Sequence, residues 1–499
     1  MSAEWDRATV WPRAGWLPRA MLVAVCVLLP LVMGSLGGGA NAAEPNERQS
    51  AEARIRDAAA QRGASVPEQV PALGESQIGF LDALRETRRR ATARSDDGHF
   101  RILVRDAVRR HPDLQGAIAL QVGAKGATDE TRAGQLPQVV GQSDGGWRSY
   151  DPNRLFGVPE RRYTSAGVSL SVRQLVYDFG ATAAAVRSAE IREQVFAARA
   201  EARRAELALR AVQAAIELDS ARLQAALAAE NEAARITILN YVRERHALGG
   251  GSFSDVLRAQ ARVADARAAV IAAGTRVDSA IAGYREMFGN VAPDTAGPTG
   301  PVDAAGTGRI DELAPRFATV RAAAAGRESA RSELQAVTLR ALPQLSVEGA
   351  LTRRDMIGDG WPANDRTALF NLRYEFYTGG AAQARAVQAL SRAEQSESDY
   401  QAAVLAFERF AGQVLAEAAA NDQFLAARIE AVELAAASLR AVREQFAFRR
   451  GTLLDLLNAQ EILQAAGREL IDAYSQQVFG GYRVLYIASG LDVHFGLVD

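Results

Sequence analysis

The chain carries the same set of landmark segments twice, about 200 residues apart. Residues 248–260 align without a gap with residues 448–460, and Gly, Ser or Thr, Asp, Leu, Ala and Gln recur at matching positions. Upstream, the Leu-Pro-Gln segment at 136–138 recurs at 342–344, in the same order relative to the other landmarks. A chain with this pattern is a tandem duplication, so the architecture of one half predicts that of the other.

Each half contains two stretches in which apolar and polar residues alternate. The clearest runs from Ala166 to Val172, where every second residue is apolar and the residues between them are Gly or Ser. Alternation with a period of two is typical of a strand with one apolar face. The pattern predicts strands at about 136–148 and 164–176 in the first half, and at about 343–354 and 366–377 in the second.

After each strand pair the chain becomes rich in Ala, Arg, Glu and Gln and lacks proline for about 70 residues. This composition predicts long helices at about 180–248 and 379–450, each about 100 Å long at 1.5 Å per residue. Shorter helices are expected at about 252–288 and 452–487. Their alanines allow close packing of helices, so each half is expected to form a helical coiled coil.

Composition predicts the boundaries of the segments before, between and after the repeats. Arginines precede an apolar run and a small-residue cleavage site at 40–42, a pattern typical of an export signal, with an uncleaved membrane anchor as the alternative. Cys26 lies inside that apolar run, and Val25 before it does not suit lipid attachment. The predicted segments are a signal peptide at 1–42, a polar extension at 43–98, repeats at 99–288 and 310–490 separated by a Gly/Pro linker at 289–309, and a tail at 491–499.

Four strands with an apolar face cannot enclose a lumen, because a closed barrel needs about eight or more strands. An open strand edge in lipid would leave backbone hydrogen-bonding groups unsatisfied. Several copies of the chain must therefore assemble, most simply as a symmetric ring.

Two turns, at Ser252–Asp255 and Thr452–Asp455, match the capping-box spacing at a helix start. The glycines before Ser252 do not form a phosphate-binding loop, because no lysine follows them. The four histidines lack metal-ligand spacing, and a net charge of -1 does not favour nucleic-acid binding. We therefore predict no catalytic site, no cofactor, no metal and no nucleic-acid partner.

These motifs, with His111-Pro112-Asp113-Leu114, Tyr177-Asp178-Phe179-Gly180 and Tyr377-Thr378-Gly379-Gly380, resemble the TolC family of outer-membrane efflux and secretion channels over about residues 100–490. The resemblance implies a mainly α-helical chain with a membrane β-barrel part, in a homotrimer with a twelve-stranded barrel and a helical tunnel across the periplasm. It further implies contact with outer-membrane lipid, a periplasmic adaptor and an inner-membrane ABC or proton-driven exporter. The extension at 43–98 and the Arg449-Arg450 pair depart from the family pattern.

The resemblance also assigns roles to residues. The two turns are expected to form the periplasmic tip, where the adaptor docks and the tunnel narrows. The expected tip residues are Gly249, Gly250, Gly251, Ser252, Asp255, Arg449, Arg450, Gly451, Thr452 and Asp455. The expected lumen-facing residues of the barrel are Ser169, Ser171, Arg173, Asn371, Arg373 and Glu375.

The cargo is open at this stage. The second turn, residues 451–460, is more similar to secretion-type members, and Cys26 does not suit a lipid anchor, so type I protein secretion is favoured over small-molecule efflux. A periplasmic coiled-coil scaffold or adhesin is the alternative from another class.

Overall fold

The computed structural model describes residues 98–150, 161–289, 298, 309–354, 363–448 and 450–497. Within them, each half has one or more short helices, two strands, a long helix and a medium-length helix, in that order. The signal-peptide prediction, nearly all of the extension and most of the linker lie outside the described residues.

The first repeat begins with helices α1 (Gly98–Arg110) and α2 (Pro112–Ala133). Strands β1 (Gln138–Tyr150) and β2 (Arg161–Tyr177) follow. The repeat then continues into the long helix α3 (Ala181–Ala247) and ends with α4 (Phe253–Phe288).

The second repeat begins with α5 (Ile310–Leu313), a 3₁₀ turn at Ala314–Arg316 and α6 (Ala318–Leu339). Strands β3 (Gln344–Arg354) and β4 (Ala363–Arg373) precede the long helix α7 (Ala381–Ala447). The repeat ends with α8 (Leu453–Ile487), after which α9 (Leu491–His494) closes the described chain.

The long helices start in the same way in both repeats. Gly180 and Gly380 lie at the N-cap with φ of 88° and 85°, a left-handed conformation that glycine adopts without steric cost. In the first repeat the Asp178 carboxylate accepts hydrogen bonds from Gly180 N and Thr182 N at 3.1 and 2.6 Å. In the second, the Thr378 hydroxyl accepts from Ala382 N at 3.1 Å. Each cap sets the direction in which a 67-residue helix leaves the sheet.

The four strands form one antiparallel sheet in the order β1-β2-β3-β4. Strand β2 pairs with β3 across the two repeats, with Arg173 opposite Glu348 and Leu170 opposite Leu351. Among the residues that the structure describes, β1 and β4 each pair with one strand only and leave one edge unpaired. The predicted fold, mostly helical with a small antiparallel sheet, is confirmed for the single chain.

The largest difference between a predicted and an observed strand boundary is at the end of β4. Strand β4 ends at Arg373, four residues before the predicted end at 377. Its last pair is Gln344 with Arg373, and β3 cannot extend back beyond Pro343, which has no N–H to donate. Glu375, predicted as a barrel residue, therefore lies beyond the end of the strand.

The helices pack away from the sheet around apolar clusters. One cluster joins α3, α4, α7 and α8 near the interhelical turns and includes Ile238, Val256, Leu439 and Leu456. A second joins α1, the middle of α3 and the C-terminal ends of α4 and α8. Among the described helices, none is both long and apolar enough to cross a lipid bilayer.

Candidate functional site

The turn between α3 and α4 and the turn between α7 and α8 lie side by side at one end of the helices. We call them the first tip (residues 248–255) and the second tip (residues 448–455). Between them is a cleft of about 560 Å³. The predicted tip residues that line the cleft are Gly249, Gly250, Gly251, Ser252, Asp255, Gly451 and Thr452.

The first tip reverses the chain through glycine. Gly249 has φ of +75°, a conformation in which an L side chain would be strained. Its N–H donates to His246 O at 2.9 Å, and the N–H of Gly250 donates to Arg245 O at 2.9 Å. These bonds satisfy carbonyls at the end of α3 that have no partner within the helix.

Two side chains from the last turn of α3 hold the glycine loop in place. Arg245 Nε donates to Gly250 O at 3.0 Å. His246 Nδ1 lies 2.9 Å from Gly251 O, and because a carbonyl can only accept, the proton is on Nδ1. The His246 ring also lies 5.9 Å from the exposed ring of Phe253. The first tip is therefore held by side-chain hydrogen bonds that are exposed to solvent.

The capping box predicted for the first tip does not form. Ser252 Oγ accepts from Ser254 N at 3.2 Å and lies 2.8 Å from Ser254 Oγ. The Asp255 N–H donates to the backbone carbonyl of Ser252 at 3.1 Å and not to its hydroxyl. Asp255 Oδ1 instead lies 3.8 Å from Arg258 Nη1, one turn along α4.

The capping box predicted for the second tip forms in full. Asp455 N donates to Thr452 Oγ1 at 3.2 Å, and Thr452 N donates to Asp455 Oδ2 at 3.1 Å. The Thr452 hydroxyl also donates to Asp455 Oδ2 at 2.7 Å. Hydrogen bonds from the Thr452 hydroxyl and N–H hold the pKa of Asp455 below its usual value, because they favour the ionised carboxylate.

The second tip is also packed against the first. A Cβ at Gly451 would lie 3.1 Å from Phe446 N, so the close turn favours glycine there. Phe446 is 4% exposed, and its ring contacts Tyr241 of α3 edge-on at 5.9 Å. The guanidinium of Arg245 lies 5.5 Å from the same ring. Phe446 thus joins the two tips.

The remaining predicted tip residues have separate positions. Arg450 is exposed, and its N–H donates to Gln445 O at 2.8 Å. Asp455 belongs to the second tip but does not line the cleft. Arg449 lies outside the described residues.

Sequence reasoning missed Arg245, His246 and Phe446. One signal was available, because His246 and Phe446 occupy equivalent positions in the two repeats. An aromatic ring at the same distance before each turn indicates a packing role. The cation–π contact of Arg245 depends on how the repeats pack, which the repeat alignment does not contain.

Four polar side chains on α3 and α8 are buried within about two to four turns of the tips. They are Asn231 and Arg235 on α3 and Gln460 and Gln464 on α8, each at most 6% exposed. Arg235 Nε donates to Asn231 Oδ1 at 3.3 Å, and burial lowers the pKa of Arg235. Polar groups inside a coiled coil restrict the register of its helices at a cost in stability.

The polar face of the sheet contains five of the six predicted lumen residues. The register places Ser169, Ser171 and Arg173 on the same face as Asn371 and Arg373, because residues directly opposite one another share a face. Arg173 Nη2 lies 3.1 Å from Glu348 Oε2 across the strands. Glu375, beyond the strand, accepts from Arg373 at 2.7 Å.

The other face of the sheet is apolar over most of its length. Val168, Leu170 and Val172 lie there with Leu351, and Phe370 is 81% exposed. Exposed side chains of this kind indicate a surface that meets lipid or another apolar partner. No group of His, Cys, Asp and Glu in the described part of the chain has an arrangement that could hold a metal ion.

Residues 103–290 match the model of the family described as outer membrane efflux protein. A curated relative, outer membrane efflux protein BepC of Brucella suis, is 26% identical over 360 residues, which are 70% of this chain and 76% of the relative.

Among solved structures, a membrane protein from Pseudomonas aeruginosa superposes with a TM-score of 0.72 at 18% identity, covering 77% of this chain and 89% of that one. The outer membrane protein VceC of Vibrio cholerae gives a TM-score of 0.69 at 18% identity, covering 78% and 95%. The structural likenesses show the fold.

Proposed function

We propose that the chain is a member of the outer membrane efflux protein family and serves as the exit duct of an export machine, because residues 103–290 match that family's model and a curated relative has the same description. Three copies close a twelve-stranded barrel in the outer membrane, and their helices form a tunnel through the periplasm. The observation that carries the proposal is the four-stranded sheet with one apolar face and two unpaired edges.

Ring closure follows from backbone chemistry. Each unpaired edge presents N–H and C=O groups that would cost several kcal/mol apiece in hydrocarbon. Pairing β4 of one copy with β1 of the next satisfies these groups without changing the fold of either copy. The apolar face then meets lipid, and the polar face with Ser169, Ser171, Arg173, Asn371 and Arg373 lines the lumen.

The tips supply a docking surface for a periplasmic adaptor. Between them they present a cleft, the exposed rings of Phe253 and Phe448, and the exposed cation of Arg450. Aromatic and arginine side chains are enriched at protein interfaces. The adaptor connects the duct to an inner-membrane ABC or proton-driven exporter, which supplies the energy.

Two cargo classes have separate support. The curated relative is named an efflux protein, which supports small-molecule efflux. The second tip at 451–460 and the unsuitable surroundings of Cys26 support type I protein secretion. Purification of the full chain in detergent, with mass spectrometry of the co-purified adaptor and exporter, separates these cases: a proton-driven exporter indicates efflux, and an ABC exporter with a large repeat-rich substrate indicates secretion.

The assignment of the two faces can be tested in planar bilayers. Arg173→Gln removes a positive charge per copy from the proposed lumen, so the channel should become more cation-selective. Arg353→Gln, the same change on the opposite face of the neighbouring strand, is the matched control and should leave selectivity unchanged. Equal shifts in both variants, or no shift in either, would contradict the assignment.

A further inference from the structure

Arg353 and Arg366 lie on the mostly apolar face of the sheet, on neighbouring strands. Arg353 is on β3, near the strand end farthest from the helices, and Arg366 is on β4 at nearly the same level. Both side chains are exposed. Since β3 and β4 are long and mostly apolar on this face, two cations there need an explanation.

The strand register places the two arginines next to each other. Arg366 is directly opposite Leu351, and Arg353 is opposite Asn364. Arg353 and Arg366 are therefore diagonal neighbours, a relation in which the strand positions are about 7–8 Å apart. Two like charges at this distance repel, so the pair gains most from a shared anion.

The arginines on the polar face provide the comparison. At the same level of the sheet, Arg354 Nη2 lies 3.2 Å from Asp365 Oδ2. Arg173 is paired with Glu348 in the same way. By contrast, neither Arg353 nor Arg366 has a carboxylate partner among the residues that the structure describes. Arg173 and Arg354 are thus paired with carboxylates of the same chain, whereas Arg353 and Arg366 have no such partner among the described residues.

The position along the strand indicates which anion is available. Between Leu345 and Leu351 the same face carries apolar residues and glycine, and the two arginines lie at the upper limit of this band. A charged residue on the lipid face of a barrel costs least near the membrane interface, where lipid headgroups lie. Guanidinium groups bind phosphate with two parallel hydrogen bonds. A headgroup that carries phosphate is therefore favoured over one without an anionic group.

We propose that Arg353 and Arg366 form a binding site for a phosphate group of an anionic lipid in the outer leaflet of the outer membrane. The site rests on the proposed function, because it requires that this face of the sheet meets lipid. In the ring the site stays open, since neighbouring copies pair through their strand edges and not through this face. Each ring would carry one such site per copy.

The experiment measures lipid retention by the full chain purified in detergent. Bisphosphorylated lipid A is added, and bound lipid is counted by native mass spectrometry. We expect the double variant Arg353→Gln/Arg366→Gln to bind about tenfold more weakly, because two charge-assisted contacts are lost. Arg354→Gln, one residue away on the polar face, is the matched control and should bind as the unmodified chain does.

Lipid A stripped of both phosphates gives the second control. The proposed site would be overturned by any of three results. The stripped lipid is retained as well as the intact lipid, the Arg354→Gln variant loses as much binding as the double variant, or the double variant binds as the unmodified chain does. Ion selectivity of the same proteins in planar bilayers tells this failure from that of the proposed function. If the double variant forms channels with unchanged selectivity and also binds lipid as before, only the lipid site is overturned. If its ion selectivity is altered, this face lines the lumen, and both the lipid site and the proposed function are overturned.

Discussion

The two tips have the same sequence plan but are stabilised in different ways. At the first tip, half-buried Arg245 and exposed His246 hold the glycine loop through its carbonyls, and the helix start has no reciprocal cap. At the second tip, a complete capping box joins Thr452 and Asp455, and the ring of Phe446 is buried. One duplicated segment has thus acquired a loosely held turn and a firmly held one.

The difference shows where remodelling of the tips costs least. Exposed hydrogen bonds compete with water and contribute little net stability, whereas loss of a buried ring leaves a cavity. The first tip can therefore change shape at a lower cost in free energy than the second. In the proposed duct, opening of the tunnel would begin with movement of the first tip against the second.

The largest difference between the two tips is expected when the equivalent residues His246 and Phe446 are replaced. Phe446→Ala removes a buried ring and should lower the free energy of local unfolding by about 3 kcal/mol, the lower end for a phenylalanine truncation. His246→Ala removes an exposed ring and should have a much smaller effect. Hydrogen exchange of tip peptides, followed by mass spectrometry, measures both.

The Phe446→Ala variant should raise exchange in both tips, since the ring contacts Tyr241 and Arg245. His246→Ala should affect the first tip alone. If the two variants had equal effects, the proposed asymmetry between the tips would be wrong. Phe448→Ala, an exposed phenylalanine in the same turn, controls for general effects of removing a ring.

A smaller effect is expected from the helix caps. Thr452→Ala removes the hydroxyl on which the capping box depends and should destabilise the start of α8 by about 1 kcal/mol. Ser252→Ala loses a single cap bond at an exposed site, and we expect about 0.5 kcal/mol at the start of α4. Exchange rates of the first turns of α4 and α8 test the difference, and a larger loss at α4 would contradict it.

The smallest effect concerns pH. The pKa of Asp455 is lowered in the folded chain, so its contribution to stability is present above the unfolded-state pKa and is lost as pH falls through the folded-state value. Acidification should therefore loosen the second tip. After correction for intrinsic exchange, protection of the start of α8 should fall at acidic pH, and Asp455→Asn should abolish that pH dependence. If protection still fell at acidic pH in Asp455→Asn, another titrating group would be responsible.

The same asymmetry shows what the sequence could predict. The duplication, the strand alternation and the long proline-free runs are local patterns, and they predicted the mostly helical fold with a small antiparallel sheet. The capping-box spacing is also local, yet it was right at Thr452 and wrong at Ser252. Ser254 was the reason, because a second hydroxyl within the motif competes for the cap, and spacing alone does not rank competitors.

Other features depend on contacts between distant segments. The burial of Arg235 and Gln460 depends on how α3 and α8 pack against other helices, which no single helix pattern contains. The end of β4 before Glu375 was set by its partner strand, which starts after Pro343. The assignment of residues to the polar face needed only alternation, so five of the six predicted positions lie on one face.

In the proposed duct, the sheet closes only when three copies of the chain join in a membrane. Light scattering gives the mass of the purified full chain in detergent, and planar bilayers measure ion conduction by the same sample. We expect a detergent-dependent trimer that forms open channels. A monomer that stays in solution without detergent and conducts no ions would contradict it.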